Sequence, residues 1–293
     1  MQKILITGAA GFVGRRLVER LGANNEVWAL VRSPQQAHAG NVHWLSQDLS
    51  QVEWSAALPA KIDAVVHLAQ SPHFRSFPEQ AVDMYNVSAG ATMRLLDWAR
   101  NAGARHFILA STGGLYGFGD APFQEADALT DDRSQLGFYF ATKRTSELIA
   151  LQYASQFSVV VMRYFFVYGA GQAPQMLMPR LVRSVIDGKP IKLQGEEGIR
   201  INPIHVSDAV GAIERCLGLS ESRVFNIAGP EVVTLKAIAE SIGRLVGRAP
   251  TYDVDLTTAP KHLIADINRM TRSLGGPSVT VEEGLKELVA GTP

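Results

Sequence analysis

The segment from Lys3 to Leu21 does most to restrict the fold. Lys3–Thr7 (KILIT) is a short apolar run bounded by glycine, which predicts a buried strand. TGAAGFVG follows at once, with Gly8, Gly11 and Gly14 three apart. Val13, Leu17 and Leu21 then recur on one helical face. In a strand–turn–helix unit of this kind the first glycine permits the tight turn. The second lets the backbone approach a pyrophosphate, and the third lets the helix pack on the strand. Unpaired N–H groups at the helix start face the anion. The unit predicts a dinucleotide site in which Gly8, Gly11, Phe12, Val13 and Gly14 bind the cofactor.

The alternation continues. Glu26–Val31, Val42–Leu45, Asp63–Ala69, His106–Ser111 and Val159–Tyr164 read as further strands. Between 79 and 102, Met84, Val87, Ala91, Leu95, Trp98 and Ala102 recur at steps of three and four, predicting one long amphipathic helix. Another helix is predicted over Tyr139–Gln156. Strands and helices in this order predict an α/β fold, a doubly wound parallel sheet of the Rossmann-like kind with right-handed crossovers. After about residue 170 the pattern changes. A helix is predicted within Pro174–Gly188, short strands at Ile191–Leu193 and Val224–Ile227, and a helix marked by Leu235, Ile238, Ile242 and Leu245. The expectation is a dinucleotide-binding domain over 1–170, with strand contributions from the later chain, and a smaller C-terminal α/β substrate-binding lobe over 171–293.

Composition excludes several alternatives. The 293 residues carry 28 basic and 28 acidic side chains, so bulk charge gives no basis for binding nucleic acid. Hydrophobic residues make up 46% and charged residues 19%, which excludes wholesale disorder. One cysteine, Cys216, allows neither an internal disulfide nor a cysteine-rich zinc site, and the seven histidines have no paired-ligand spacing. No metal is expected. No run approaches 18 apolar residues, and the N-terminus reads as a strand rather than as a leader. A cytoplasmic protein with no membrane and no nucleic-acid partner is expected.

The end of the second strand selects the dinucleotide. An acid there accepts from the 2′-hydroxyl of NAD, whereas a basic residue accommodates the 2′-phosphate of NADP. The segment reads Ala29-Leu30-Val31-Arg32-Ser33-Pro34, so Arg32 favours NADP within a general NAD(P) expectation. Asp48 and Leu49, after the third strand, are expected beside the adenine.

Tyr139 and Lys143 lie four apart on a predicted helix and therefore share a face. An ammonium beside a phenol favours phenolate, which suits Tyr139 to general acid/base work on a carbonyl–alcohol couple. Ser111-Thr112 ends the fifth strand, with Thr112 27 residues before Tyr139. A hydroxyl at that sheet edge can bond the same substrate oxygen. His67 and His205 read as structural histidines, and Cys216 as a core residue.

With these pieces assembled, the chain resembles the extended short-chain dehydrogenase/reductase family, in its NAD(P)-dependent nucleotide-sugar epimerase, dehydratase and reductase group. TGAAGFVG, DAVVHLA (63–69), NVSAGATMRLLDWA (86–99), STGGLYG (111–117), FYFATK (138–143) and MRYFFVYGAGQ (162–172) match family blocks in order, and IHVSDA (204–209) and FNIAGPE (225–231) look like substrate-lobe blocks. The resemblance implies Thr112, Tyr139 and Lys143 as the catalytic group, with Lys143 also on the nicotinamide ribose. It implies Leu68, Ala69, Asn86 and Phe165 as cofactor-lining, Ser111, Phe166 and Arg200 as substrate-binding, and a homodimer built on long helices. Three departures accompany it. Gly113-Gly114 stand where 4,6-dehydratases carry an Asp-Glu pair, which disfavours that elimination. Phe166 replaces an amide that commonly touches the substrate diphosphate. Arg200 lies five residues before His205 rather than four, with Pro203 between.

The favoured expectation is hydride transfer at a carbon of a nucleotide-linked sugar, of the 4-epimerase or 4-keto reductase type. Two alternatives stay open: an NADPH-dependent ketoreductase acting on a non-nucleotide carbonyl compound, and a non-catalytic NAD(P)-sensing protein.

Overall fold

The computed structural model describes residues 1–33, 40–54, 58–131 and 133–292. In chain order the elements are β1 (Lys3–Thr7), α1 (Phe12–Gly22), β2 (Glu26–Val31), β3 (Val42–Ser46), β4 (Ala64–His67), α2 (Ala81–Tyr85), a π-helical turn (Asn86–Gly90), α3 (Ala91–Asn101), β5 (His106–Thr112), α4 (Gly137–Gln152) and β6 (Ser158–Tyr164). Then follow β7 (Val167–Tyr168), α5 (Leu177–Asp187), β8 (Ile191–Gln194), β9 (Arg200–Ile201), β10 (Ile204–His205), α6 (Val206–Cys216), β11 (Arg223–Ile227), β12 (Val233–Thr234), α7 (Leu235–Val246), β13 (Tyr252–Asp255), α8 (Asn268–Leu274) and α9 (Val281–Ala290). They form two compact units. The first comprises Met1–Leu115, Leu129–Arg163 and Ile213–Phe225, and the second Tyr116–Ala128, Tyr164–Ala212 and Asn226–Pro293.

The first unit is built on a parallel sheet that, among the described residues, has seven strands in the order β11-β6-β5-β4-β1-β2-β3. Neighbouring strand residues of both parities are buried: Ile4, Leu5 and Ile6, Ala64, Val65 and Val66, Phe107 and Ile108. Burial on both faces explains why these strands read as continuous apolar runs rather than as alternating ones. One face packs Leu5, Val65, Phe107, Leu109, Val159 and Val161 against Ala91, Leu95 and Ala99 of α3 and Ala150 of α4. Thr7 lies in register with both Leu30 and His67, and His67 with Leu109. The carboxyl ends of β1, β4 and β5 therefore emerge along one edge. From β1 the sheet grows outward in both directions, the switch point at which open α/β sheets bind ligands.

The single helix expected over 79–102 is instead α2, a π turn and α3. One extra residue per turn at Asn86–Gly90 re-aims Asn86, and a pattern of threes and fours does not register it. Met84 and Leu95 are buried and Trp98 packs against the core.

In the second unit α5, α7 and α9 close on a separate core that includes Leu181, Val185, Ile238, Ile242, Leu285 and Leu288, with Ile191 and Leu193 of β8. Local chemistry sets the helix ends. Thr234 caps α7, Thr280 and Glu283 form a capping box at α9, and α5 and α7 stop at the left-handed glycines Gly188 and Gly247.

Candidate active site

The glycine turn has the geometry that its spacing predicts. Gly8 has φ +67°, and a Cβ there would lie 2.8 Å from the Ala69 nitrogen. A Cβ on Gly14 would lie 2.2 Å from the Gly8 carbonyl oxygen, so only glycine allows α1 to start this close to β1. Gly11 is extended and N-caps α1, with its N–H donating to Gly8 at 2.9 Å. No side chain caps α1 and no acid lies in its first turn, which leaves its N–H groups and positive end for an anion. This cradle fits a dinucleotide pyrophosphate. Phe12 and Val13 form the first turn of α1, and the Arg16 guanidinium lies 4.9 Å from the Phe12 ring centre.

Arg32 is exposed just past β2, and positions 34–39, with Pro34, lie outside the described residues. The segment after β3 is tied down by residues from the π turn and α3. Asp48 accepts from the Ser50 N–H at 2.9 Å, Asn86 donates to the Ser50 carbonyl at 2.9 Å, and Arg94 donates to the Leu49 carbonyl at 2.9 Å while lying over Trp54 at 5.2 Å. Asp48, Leu49 and Asn86 are thus brought together. Arg94 was not singled out from the sequence, where one arginine on a helix face carries no signal.

Next to the turn, the Thr7 hydroxyl accepts from the Ala69 N–H at 3.2 Å and lies 2.6 Å from Nδ1 of His67. His67 also hydrogen-bonds the Ser88 backbone, so the ring has a second partner besides Thr7. His67 is buried. That burial, reinforced by the Lys143 ammonium, pushes it down to about 3 and keeps it neutral. Leu68 donates to the Thr7 carbonyl at 3.3 Å. Leu68 and Ala69 are fixed beside Gly8 by this ladder.

Thr112, Tyr139 and Lys143 converge in the same unit. Thr112 ends β5 and accepts from the Gly114 N–H at 3.1 Å. The Tyr139 hydroxyl is hydrogen-bonded by Thr112 and donates to Oε1 of Gln70 at 3.2 Å. Lys143 is buried one turn further along α4, its Nζ donating to the Ala110 carbonyl at 2.9 Å and lying 6.0 Å from the Tyr139 ring centre. The acidified phenol expected from the sequence is corrected here. Burial dominates and pushes Tyr139 up to about 12, with the Thr112 hydrogen bond opposing it. The Tyr139 side chain is half-buried, and its hydroxyl meets the exposed Gln70. Burial also pushes Lys143 down to about 8, against the nearby Glu147 carboxylate. The ammonium is directed at a backbone carbonyl rather than at the phenol oxygen.

Behind this group is a buried network that the sequence reading missed. Glu147 accepts from Arg163 at 2.6 and 3.0 Å and from the Ser111 hydroxyl, and all three residues are buried. The Ser111 hydroxyl is thereby directed at Glu147. A signal existed: Glu147 lies four residues after Lys143, which lies four after Tyr139, so one helix face carries all three.

The remaining site expectations fall in the second unit. Phe165 is buried, donates its N–H to Ile227 at 2.9 Å and stacks with Tyr116 at 6.1 Å. Phe166 holds φ +47°, a left-handed conformation that is strained for a bulky residue, and packs against the apolar core of that unit. Arg200 donates from its guanidinium to the Asp120 carbonyl at 3.1 Å. Among the described residues no cluster of three or more His, Cys, Asp or Glu is arranged to hold a metal, and no helix is long and apolar enough to cross a membrane.

Residues 4–228 match the model of the NAD dependent epimerase/dehydratase family. The UDP-glucuronate 4-epimerase of Thermodesulfobacterium geofontis (strain OPF15) is 28% identical over 307 residues, covering 97% of this chain and 94% of that protein. The dTDP-glucose 4,6-dehydratase of Streptomyces griseus is 29% identical over 316 residues, covering 98% and 93%. The solved structure of MoeE5 in complex with UDP-glucuronic acid and NAD superposes with a TM-score of 0.83 at 29% identity, covering 99% of this chain and 98% of that one. The glycine cradle, the strand order and these likenesses together establish that the chain belongs to the NAD dependent epimerase/dehydratase family, within the extended short-chain dehydrogenase/reductase group of nucleotide-sugar enzymes.

Proposed function

We propose that the protein is an NAD(P)-dependent oxidoreductase that moves hydride at a carbon of a nucleotide-linked sugar, as a 4-epimerase or a 4-keto reductase. The observation that carries this reading is the meeting of Tyr139, Thr112 and Lys143 in the compact unit that also holds the glycine turn. When bound, the dinucleotide supplies or takes the hydride. Gly8, Gly11, Gly14 and the first turn of α1 hold its pyrophosphate, and Lys143 holds the ribose. Tyr139 exchanges a proton with the sugar oxygen at its own hydroxyl, and Thr112 orients that oxygen. With the phenol pushed up by burial, Tyr139 is neutral near pH 7 and ready to give its proton to a carbonyl oxygen. Acting on an alcohol, it must first lose that proton. Arg32 favours NADP, and the MoeE5 complex supports a nicotinamide dinucleotide in general.

A 4,6-dehydratase is disfavoured on a physical ground. Gly113 and Gly114 offer neither acid nor base, and a Cβ on Gly114 would meet the Phe140 ring at 2.4 Å, so the space of a longer side chain is filled. A homodimer in the cytoplasm belongs to the same proposal. Val82, Tyr85 and Met93 on α2 and α3 are exposed by 74%, 51% and 44%, an apolar surface suited to pairing with a second copy.

Phe166 and Arg200 favour a second reading. Phe166 is packed in an apolar core and offers a diphosphate no donor, while Arg200 spends one of its guanidinium N–H groups on the Asp120 carbonyl. That arrangement suits a non-nucleotide carbonyl substrate for an NADPH-dependent ketoreductase. The non-catalytic NAD(P)-sensing alternative gains no such support, since its catalytic trio is complete.

The test is thermal stabilisation and turnover with UDP-, dTDP-, GDP- and CDP-hexoses in the presence of NAD and NADP. Stabilisation by one sugar nucleotide, with turnover lowered about 10²–10⁴-fold in Tyr139→Phe, is expected. Stabilisation by none, with reduction of simple ketones intact, favours the second reading. Full activity in Tyr139→Phe removes the tyrosine from the chemistry.

A further inference from the structure

Gln70 is the one partner of the Tyr139 hydroxyl to which the reading above gives no role. The contact, 3.2 Å from Oη to Oε1, is long for an O–H···O bond but within reach. Gln70 follows β4, and the backbone on either side of it is fixed. Before it, the Ala69 N–H bonds Thr7; after it, the buried Ser71 hydroxyl donates to Asp83 and accepts from the His73 N–H at 3.0 Å. The Tyr139 ring is braced on its own account by Phe74 at 5.5 Å and Phe140 at 5.4 Å. Gln70 is itself exposed, so packing does not require an amide at this position.

The chemistry of the two partners is opposed. A carboxamide oxygen only accepts, so it bonds the phenol in its neutral form. The Thr112 side chain acts on the same phenol in the opposite sense and favours the phenolate. We propose that Gln70 is a positioning residue for Tyr139: its amide oxygen takes the phenolic hydrogen, turns the hydroxyl toward the loop after β4, and keeps Tyr139 protonated until a substrate oxygen displaces the amide. This rests on Tyr139 being the proton-exchanging group.

The test needs no substrate. Full-length protein carrying tyrosine labelled with ¹³C at Cζ is titrated by NMR from pH 7 to 11, with the Tyr139 signal assigned by its loss in Tyr139→Phe. Gln70→Ala removes the acceptor and lowers the ionisation midpoint by ~0.5–1 pH unit, which raises the ionised fraction at pH 11 about 3- to 5-fold. Gln70→Glu places a carboxylate beside the phenol and lowers that fraction. Equal fractions in all three proteins, or a change in the same direction in both variants, overturn the proposal. Turnover of Tyr139→Phe is read separately. If it is retained while the Gln70 variants shift the titration in opposite directions, the catalytic reading fails and the pairing stands. If turnover is lost and the titration does not move, only the role of Gln70 fails.

Discussion

His67 is buried beside the Lys143 ammonium, and both the loss of water and that charge disfavour a second proton on the ring. Folding thus holds it down to about 3, from an ordinary value of 6.5. The sign of the pH effect follows. Above about pH 6.5 both folded and unfolded chains leave this histidine neutral. Between 6.5 and 3 the unfolded chain takes up a proton that the folded chain refuses, so stability is lost as the pH falls through that window. The full loss from this group is about 5 kcal/mol, reached only near the lower end. Urea unfolding at pH 7.5, 6 and 5 should give a falling free energy, with the fall flattened in His67→Gln. An equally steep fall in that variant would refute the assignment. At the same scale, Glu147 satisfies Arg163 and Ser111 together, and burial rather than Lys143 governs Tyr139. Each of these depends on neighbours distant in sequence. Residue type and spacing therefore brought out Thr112, Tyr139 and Lys143 as candidates, which the fold places in one unit, but misjudged the ionisation of the tyrosine.

The strand–turn–helix unit of β1 and α1 was readable in full because its requirements are local. A positive φ at Gly8 and a backbone contact at Gly14 demand glycine whatever lies elsewhere. A methyl group at position 14 would press on the Gly8 carbonyl and displace the start of α1. Gly14→Ala should abolish the rise in melting temperature that NAD and NADP give the unchanged protein. At a hundred times Kd, that rise corresponds to about 2.7 kcal/mol. At equal concentrations, NADP should stabilise the unchanged protein more than NAD if Arg32 meets the 2′-phosphate, and an equal or larger effect of NAD would oppose that role. The π turn at Asn86–Gly90 was not readable. Its extra residue leaves apolar positions on nearly the same face, and its consequence, the Asn86 bond to the Ser50 carbonyl, is a contact across 36 residues.

At the scale of the whole molecule, the exposed apolar side chains of α2 and α3 argue for a second copy. Light scattering at micromolar concentration should give twice the chain mass, and Val82→Glu combined with Met93→Glu should shift it toward the monomer. A monomer mass for the unchanged protein would set the dimer aside. By itself the sequence determined the order of strands and helices, the parallel sheet covered on both faces, the phosphate cradle and the helix face that carries Tyr139 and Lys143. These follow from steric and periodic rules acting over a few residues. Tertiary structure alone decided that Glu147 joins Ser111 to Arg163, that Arg94 ties down the loop after β3, that Gln70 meets the Tyr139 hydroxyl, and that this hydroxyl stays protonated. Those outcomes depend on burial and on partners supplied by remote segments, and no local pattern encodes either.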